Sequence, residues 1–460
     1  SAAIYGARAA FGVILITTKQ GKKDSAPKFN YNNNISFSKA LELPQKASPL
    51  ESVLAYKEMG WPNDTYVDGK NITQWEGYIR DYMSDPGKYP KGYIFDEKGN
   101  LFLMKERNMF DDMTDNFGFM QNHSMSVSGG SEKTVYRIGV GYTGEDGILI
   151  TDKDSYDRLN LSTFMGVDVN SWLTTQLDLK YGNSKQNKVE AGGRNTVWVA
   201  AMNLPSYQNN EDYEQDGITY APESPATYIR YGEPRKIKQN DLRVLGRVIL
   251  TPLKGLRITG EYTYNRTSSQ NKFYKNKYQY IGLNFTGVLN STENSSYAVT
   301  SKYTDYNAVN LFANYDMTFG KHDISLMGGY NQESSHTESQ YSYRTDVVVG
   351  SLPSLSLSTG TPITSDAFEE FAIRGLFYRV NYSYAGKYLF EANGRYDGTS
   401  RFPKNSRFGF FPSFSAGWRV SEESFMQGMN SYLSNLKLRA SWGSIGNQVI
   451  LKSDNTPDNY

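Results

Sequence analysis

The chain has 460 residues, 49 basic and 48 acidic side chains for a net charge of +1, and no cysteine. The balanced charge excludes a bulk field that would attract nucleic acid, and the lack of cysteine excludes disulfides, thiolate nucleophiles and cysteine metal sites. No apolar run approaches the ~18 residues of a membrane-spanning helix. Aromatic residues make up 14% of the chain, which fits the aromatic girdles of a membrane barrel and also an aromatic-rich soluble β protein.

The first predicted elements are short. The start of the chain is Ala-rich and leads into a β-branched strand at 13–18 with a basic exit. A second strand is predicted at 28–37, where aromatic and aliphatic side chains share one parity. The long segment 38–121 opens with a capping box from Ser48 to Glu51, which predicts a helix at 49–59. The rest of this segment is aromatic and too long to be a simple turn.

Beyond this segment the predicted strands come in antiparallel pairs. In the clearest pair, residues 376–384 alternate apolar with mostly polar or small side chains, a turn follows at 385–387, and 388–396 keep the parity. Period-two alternation over about ten residues is typical of a strand that crosses a bilayer. The same alternation places the other strands at 122–128, 134–143, 159–169, 173–181, 242–250, 256–265, 309–319, 324–330, 408–420 and 436–442.

Short and long connections alternate along the chain. The short ones are predicted at 129–133, 170–171, 251–255, 320–323 and 385–387, and the long ones at 38–121, 184–240, 266–305 and 334–371. Successive connections between antiparallel neighbours emerge at opposite ends of the sheet. All short turns therefore lie at one end and all long loops at the other, which is typical of an outer-membrane barrel. A soluble sandwich or adhesin remains the alternative fold.

The predicted fold class is all-β, a transmembrane antiparallel β-barrel of which about thirteen strands are present. An odd number of strands cannot return the chain to its starting end. An open sheet edge in lipid also leaves unpaired backbone groups. We therefore expect further strands outside this sequence.

Neither a catalytic site nor a metal or cofactor site is predicted, and the chain is expected not to be an enzyme. The three histidines, His123, His322 and His336, are scattered over a strand start, a turn and a loop without metal-ligand spacing. Glu391 and Asp397 share a strand parity with Arg395. They are interpreted as lumen-facing residues that pair along the barrel wall rather than as an acid/base site.

Loop aromatic residues are the one predicted binding feature. Sugar rings have apolar C–H faces, so indole plates suit oligosaccharides, and Trp61, Trp75 and Trp198 are the candidate substrate-binding residues. The alternative for each is that it packs a loop or anchors at the membrane interface.

Three ordered strings resemble one known family. Residues 2–22 read AAIYGARAAFGVILITTKQGK, 391–418 read EANGRYDGTSRFPKNSRFGFFPSFSAGW, and 436–448 read LKLRASWGSIGNQ. They are similar to the end of the plug domain and to two barrel motifs of the SusC/RagA-like branch of TonB-dependent outer-membrane transporters. Phe11 departs from the Asn usual in the first motif, and 198–207 is a weaker match to a loop helix of the family.

The resemblance implies a bacterial outer-membrane barrel of about 22 strands around an internal plug. Residues 1–23 would be the C-terminal end of the plug, and 24–460 the N-terminal part of the barrel with extracellular loops at 38–121, 184–240, 266–305 and 334–371. A region that binds TonB would lie N-terminal to this sequence.

The implied function is TonB-dependent import of a large nutrient, with an oligosaccharide as the first expected cargo. A peptide importer of the RagA type, a siderophore-type receptor and a non-transporting adhesin or soluble β-sandwich are the alternatives. The implied partners are a SusD-like surface lipoprotein, TonB and outer-membrane lipid, in a SusCD assembly that is expected to be dimeric; no nucleic acid partner is expected.

Overall fold

The computed structural model of the protein describes residues 18–59, 66–67, 70–115, 117–189, 197–215, 217–282, 290–291, 294–429 and 432–448. The strand predicted at 13–18 lies almost wholly outside the described residues, and so does Trp61. No helix in the described ranges combines the length and the apolar character needed to span a bilayer.

Thirteen strands form one sheet in strict chain order, and every neighbouring pair is antiparallel. The strands are β1 Ser25–Ser38, β2 Gly118–Gly130, β3 Thr134–Asp146, β4 Ser155–Asp168, β5 Leu173–Lys188, β6 Arg235–Leu253, β7 Leu256–Lys275, β8 Ser296–Phe319, β9 His322–Thr345, β10 Ile363–Tyr384, β11 Tyr388–Thr399, β12 Phe408–Arg419 and β13 Lys437–Gly443. The predicted strand number and the meander topology are confirmed. Within the described residues β1 and β13 do not pair with each other, so the sheet is a barrel segment that is not closed.

Several strands extend well past the predicted bounds at the long-loop end. The strand predicted at 324–330 runs over 24 residues as β9, and its partner β10 spans 22 residues. In these extensions both faces carry polar side chains, so the apolar alternation that marks a membrane crossing is lost although the backbone pairing continues. In chain order, the first five loops at this end are 39–117, 147–154, 189–234, 276–295 and 346–362, and the fourth and fifth are correspondingly shorter than the predicted 266–305 and 334–371.

The outward face of the sheet is apolar and exposed. Phe390 and Leu376 expose 53% and 59% of their surface, and Phe410 and Leu438 on β12 and β13 expose 52% and 56%. Among the described residues no second sheet covers this face, which excludes a β-sandwich and confirms the predicted lipid-facing side. The tight turn between β10 and β11 is as predicted, with Ala385 and Gly386 at φ of 52° and 67°.

The long loops contain the helices. They are α1 Pro49–Glu58, α2 Ile72–Ser84, α3 Met109–Met113, α4 Val197–Asn203 and α5 Pro225–Tyr231. The capping box predicted for α1 is formed. The Ser48 hydroxyl accepts from the Glu51 N–H at 3.2 Å, and the Glu51 carboxylate accepts from the Ser48 N–H at 2.8 Å. Short hairpins at 93–103 and 213–220 complete these loops.

Candidate functional site: the barrel lumen and the loop layer

A row of hydrogen-bonded polar side chains crosses the inner wall of the sheet. This lumenal ladder consists, in strand order from β5 to β11, of Gln176, Arg247, Glu261, Asn310, Asn331, Arg395 and Asp397. These residues are cross-strand neighbours, or nearly so, on the face opposite the apolar belt, since side chains alternate between the two faces of each strand. The ladder therefore lines the water-filled or plug-filled side of the barrel.

The distances show that the ladder is continuous. Arg247 donates from Nη1 to Gln176 Oε1 at 2.8 Å and from Nε to Glu261 Oε1 at 2.5 Å. Asn310 Nδ2 donates to Glu261 Oε2 at 3.2 Å, and Asn331 Nδ2 donates to Asn310 Oδ1 at 2.6 Å. The two charged groups of this part of the ladder, Arg247 and Glu261, thus have partners within the wall.

A glycine allows the ladder to pass over β10. Gly375 lies between Asn331 on β9 and Asp397 on β11 in the strand register. A Cβ atom at Gly375 would lie 2.1 Å from Asp397 Oδ1 and 2.9 Å from Arg395 Nη2. Because the glycine leaves this space free, Arg395 reaches from β11 to Asn331 Oδ1 at 3.1 Å.

The acidic residues of β11 lie on the lumenal face, as the alternation predicts. Asp397 forms an ion pair with Arg395 two residues away, and both side chains are nearly buried, with 6% and 13% exposed. Glu391 accepts a hydrogen bond from Asn393 Nδ2 at 2.7 Å. Asn393 in turn accepts from Arg379 Nε at 2.8 Å. Glu391 and Asp397 are thus each bonded to a neighbouring side chain of the barrel wall.

The three histidines lie far apart in the structure as well. His123 contacts the Tyr31 hydroxyl at 2.8 Å, and His322 contacts the Tyr382 hydroxyl at 2.9 Å. His336 lies between two glutamates on the outward face, above the apolar belt. The part of the chain that the structure describes holds no group of three or more His, Cys, Asp or Glu residues suited to a metal ion.

The first, third and fourth long loops, at 39–117, 189–234 and 276–295, pack together, and we call them the loop layer. Its first core surrounds Trp75, which is completely buried. Trp75 Nε1 donates to the Leu103 carbonyl at 2.7 Å, and its ring meets Tyr207 edge-on at 4.7 Å. Ile281 of the fourth loop joins the same core, so three loops that are distant in sequence share one apolar interior.

A second core joins helices α3, α4 and α5. Its members include Phe110, Met113, Ala200 and Ile229, with Trp198 and Tyr278 packed against its edge. The loop layer thus holds two cores of the soluble-protein kind, whereas the barrel wall exposes its apolar side chains.

Two lysines satisfy the carbonyl groups at the ends of α4 and α5. Lys46 Nζ donates to the carbonyls of Ala201 and Leu204, and burial lowers the pKa of its ammonium group. Lys153 Nζ donates to the carbonyls of Ile229, Arg230 and Gly232 at 3.2, 2.6 and 2.9 Å. A cation at a helix C-terminus also complements the helix dipole. Both contacts link different loops and stabilise the layer.

A polar contact connects the first and third loops at the border of the two cores. Arg107 donates to both carboxylate oxygens of Glu211 at 2.7 and 3.2 Å, and only 6% of the Arg107 side chain is exposed. Asn210 donates to Asp112 in α3. Burial raises the pKa of the Asp112 carboxyl although Arg107 opposes this shift.

The structure separates the three candidate tryptophans. Trp75 is the centre of the first core and has no exposed face. Trp198 is half-buried beside the second core and stacks on Phe110 with ring centroids 6.3 Å apart. Trp61 lies outside the described residues, so its predicted role stays a prediction.

A tyrosine cluster that the sequence alone does not reveal lies beside the second core. Tyr231 and Tyr278 lie 5.8 Å apart between ring centroids, and Tyr278 and Tyr280 lie 6.2 Å apart. Tyr278 packs against the same core as Trp198. These residues come from two different loops, and no local pattern in the sequence marks them as neighbours.

Comparison with known proteins agrees with this architecture. The family model described as TonB dependent receptor-like, beta-barrel matches residues 200–449. The chain is 28% identical over 97% of its length to the TonB-dependent receptor SusC of Bacteroides thetaiotaomicron, of which it covers 42%. It is 25% identical over 97% of its length to the TonB-dependent receptor P3 of Formosa agariphila, of which it covers 41%.

The structure described as the RagAB peptide transporter superimposes with a TM-score of 0.76 at 19% identity, covering 100% of this chain and 52% of that one. At this identity the superposition shows the fold. The chain thus spans about half the length, or less, of the proteins it matches. The expected SusC/RagA-like resemblance is confirmed: the chain belongs to the TonB dependent receptor-like β-barrel family and is part of a protein of the bacterial outer membrane.

Proposed function

We propose that the protein imports a large nutrient across the outer membrane in a TonB-dependent reaction, and that its cargo is an oligosaccharide. We also propose that it works with a SusD-like surface lipoprotein, in a dimeric SusCD-type assembly, and binds TonB through a region N-terminal to this sequence. Residues 1–23 would end the plug, and 24–460 would form the N-terminal part of the barrel. The start of β1 at Ser25 supports that boundary.

The observation that carries the cargo proposal is the composition of the lumenal ladder. Its two arginines, Arg247 and Arg395, are balanced by Glu261 and Asp397, and the remaining members are carboxamides. Such a wall offers hydrogen-bond donors and acceptors without net charge. Uncharged sugars match it better than an anionic ferric siderophore, which a net positive wall would attract.

The loop aromatics give a second, independent support. Trp198 and Tyr278 each pack against the second core, and Tyr231, which stacks near Tyr278, exposes 44% of its surface. Aromatic faces bind the apolar faces of sugar rings, while the hydroxyl groups of tyrosine can bond the polar rims. The proposal assigns no bond cleavage, metal or cofactor to this chain.

The test is cargo binding by the protein purified from outer membranes together with any lipoprotein that co-purifies. Labelled oligosaccharides, mixed peptides and ferric siderophores are compared by equilibrium binding. We expect binding of oligosaccharides only, with weaker binding after Trp198→Ala or Tyr231→Ala. The matched control is Trp172→Ala, which removes an exposed indole from a short turn at the opposite end of the sheet.

Each alternative cargo has its own result. Binding of peptides alone would identify an importer of the RagA type, and binding of the siderophore would identify a siderophore-type receptor. If none of the three cargo classes binds, the proposal is wrong and the chain belongs to a non-transporting protein.

A further inference from the structure

Four lysines form a patch on the outward face of the sheet near its long-loop end. This lysine patch consists of Lys185 on β5, Lys236 and Lys238 on β6, and Lys272 on β7. In the register Lys185 lies directly opposite Lys238, and Lys236 lies directly opposite Lys272. All four side chains are exposed. Because Lys236 and Lys238 are two residues apart on one strand, they point to the same face.

In the strand register a single carboxylate faces the four lysines. Within the described ranges none of the four ammonium groups has a carboxylate at ion-pair distance. Asp157 lies opposite Lys185 on β4, but it accepts a hydrogen bond from the Tyr142 hydroxyl at 2.7 Å. Like charges directly opposite each other destabilise a strand pair. Binding of an anion between the opposed lysines therefore lowers the free energy of this arrangement.

Two other outward-facing basic groups at the same end have acidic partners. Arg266, which lies opposite Leu242 in the register, has Asp305 at 3.8 Å, and His336 on β9 lies between two glutamates. The lysine patch differs from these neighbours because none of its four cations lies within ion-pair distance of a described carboxylate, and Asp157 can balance only one of the four charges. Exposure of a strand face to solvent does not by itself explain why lysines lie opposite lysines on three adjacent strands.

The height of the patch above the apolar belt indicates the source of the anion. Tyr181 and Leu242 form the uppermost large apolar row on β5 and β6, and Lys185 and Lys238 lie four residues beyond them. At ~3.3 Å per residue and a tilt of ~40°, this places their Cα atoms ~10 Å above that row. Lysine side chains snorkel toward the interface, so the ammonium groups reach the layer of lipid headgroups.

We propose that the lysine patch binds the phosphate groups of a phosphorylated glycolipid in the outer leaflet. The patch faces outward, so it meets the annular lipid and not the lumen, and the inference depends on the membrane location rather than on the cargo. Phosphates bridge pairs of opposed lysines and remove the repulsion between them. The bound lipid fixes the height of this part of the barrel in the membrane.

The test compares two double variants, K185Q/K238Q and K236Q/K272Q, with the control K254Q/K321Q, in the protein purified from outer membranes. The control removes two exposed lysines from the short turns at the other end of the sheet. Binding is measured to phosphatidylcholine nanodiscs that contain lipid A, dephosphorylated lipid A or no glycolipid, with inorganic phosphate as a competitor. Because all positions are exposed, heat-modifiable gel mobility should show that every variant folds.

We expect each lysine pair to weaken binding of phosphorylated lipid A about 25-fold, since one lysine near an anionic lipid surface contributes about fivefold. The control and the dephosphorylated lipid should show no such loss. Equal binding by all variants, or equal binding of dephosphorylated lipid, would overturn the proposal. Complete competition by inorganic phosphate would make the patch a free-anion site instead and would also overturn it.

Discussion

A charge placed on the lipid-facing side of β10 should strongly destabilise the barrel. Val380 is the central outward-facing residue of the segment 376–384 on β10. Its cross-strand neighbours on the next three strands are Ala392, Phe414 and Trp442. The segment 376–384 spans eight residue steps, or ~20 Å along the membrane normal at ~3.3 Å per residue and a tilt of ~40°. Val380→Arg therefore places a guanidinium near the bilayer centre.

The expected cost of Val380→Arg is ~2–4 kcal/mol, the range for Arg at the midplane of a membrane barrel. At 1.4 kcal/mol for each factor of ten, this lowers the folding equilibrium constant about 30-fold to 10³-fold. The matched control is Asn381→Arg. Asn381 is the next residue along the strand, so its side chain lies on the lumenal face, where it lines a cavity of about 960 Å³ together with charged residues of both signs, and a cation there stays out of the lipid.

The assay is urea unfolding of the protein in lipid vesicles, followed by gel mobility and tryptophan fluorescence. We expect a lower midpoint for Val380→Arg and a midpoint close to the parent protein for Asn381→Arg. If the two variants lose the same stability, the assignment of lipid-facing and lumen-facing sides is wrong.

The lumenal ladder, the first loop core and the buried carboxylate of the loop layer each give a testable outcome. Gly375→Ala should lower stability in the same vesicle assay by ~1–3 kcal/mol, because its Cβ displaces a carboxylate from its charged partner. Trp75→Ala should weaken the loop layer by ~3–5 kcal/mol, measured as faster hydrogen exchange at 101–104. The pKa of Asp112 is raised by burial, so its stabilising contribution is complete below the ordinary carboxyl pKa and is lost as pH rises through the raised value. Hydrogen exchange in α3 should therefore accelerate with pH across that window, and Asp112→Asn should abolish the dependence.

Each of these outcomes has a control in the same molecule. Gly328→Ala introduces a Cβ with no atom within 4 Å and should leave stability unchanged. Trp172→Ala removes a 49% exposed indole and should leave exchange in the loop layer unchanged. Asp115→Asn, at an exposed carboxylate two residues beyond α3, should preserve the pH dependence of Asp112. A loss in any control equal to that in its partner would contradict the corresponding assignment.

The barrel wall could be predicted from the amino-acid sequence, because strand alternation is a local property. One parity of β10 and β11 carries the apolar side chains that lipid requires, so the strand number, the order of turns and the two faces could be predicted. The helix at Pro49 was also predictable, since its capping box is complete within four residues. The strand ends above the membrane were not predictable, because both faces there contact water and the alternation disappears.

The contents of the loops and of the lumen depend on contacts between distant parts of the chain. Trp75 has the aromatic character of a binding residue in sequence, but Tyr207 and Ile281 from two other loops bury it, and contacts of that range leave no local pattern. The lumenal ladder likewise depends on the register of several strands and on the space left by Gly375. Local periodicity fixes which face a residue occupies, whereas its partners are fixed by where distant strands and loops meet.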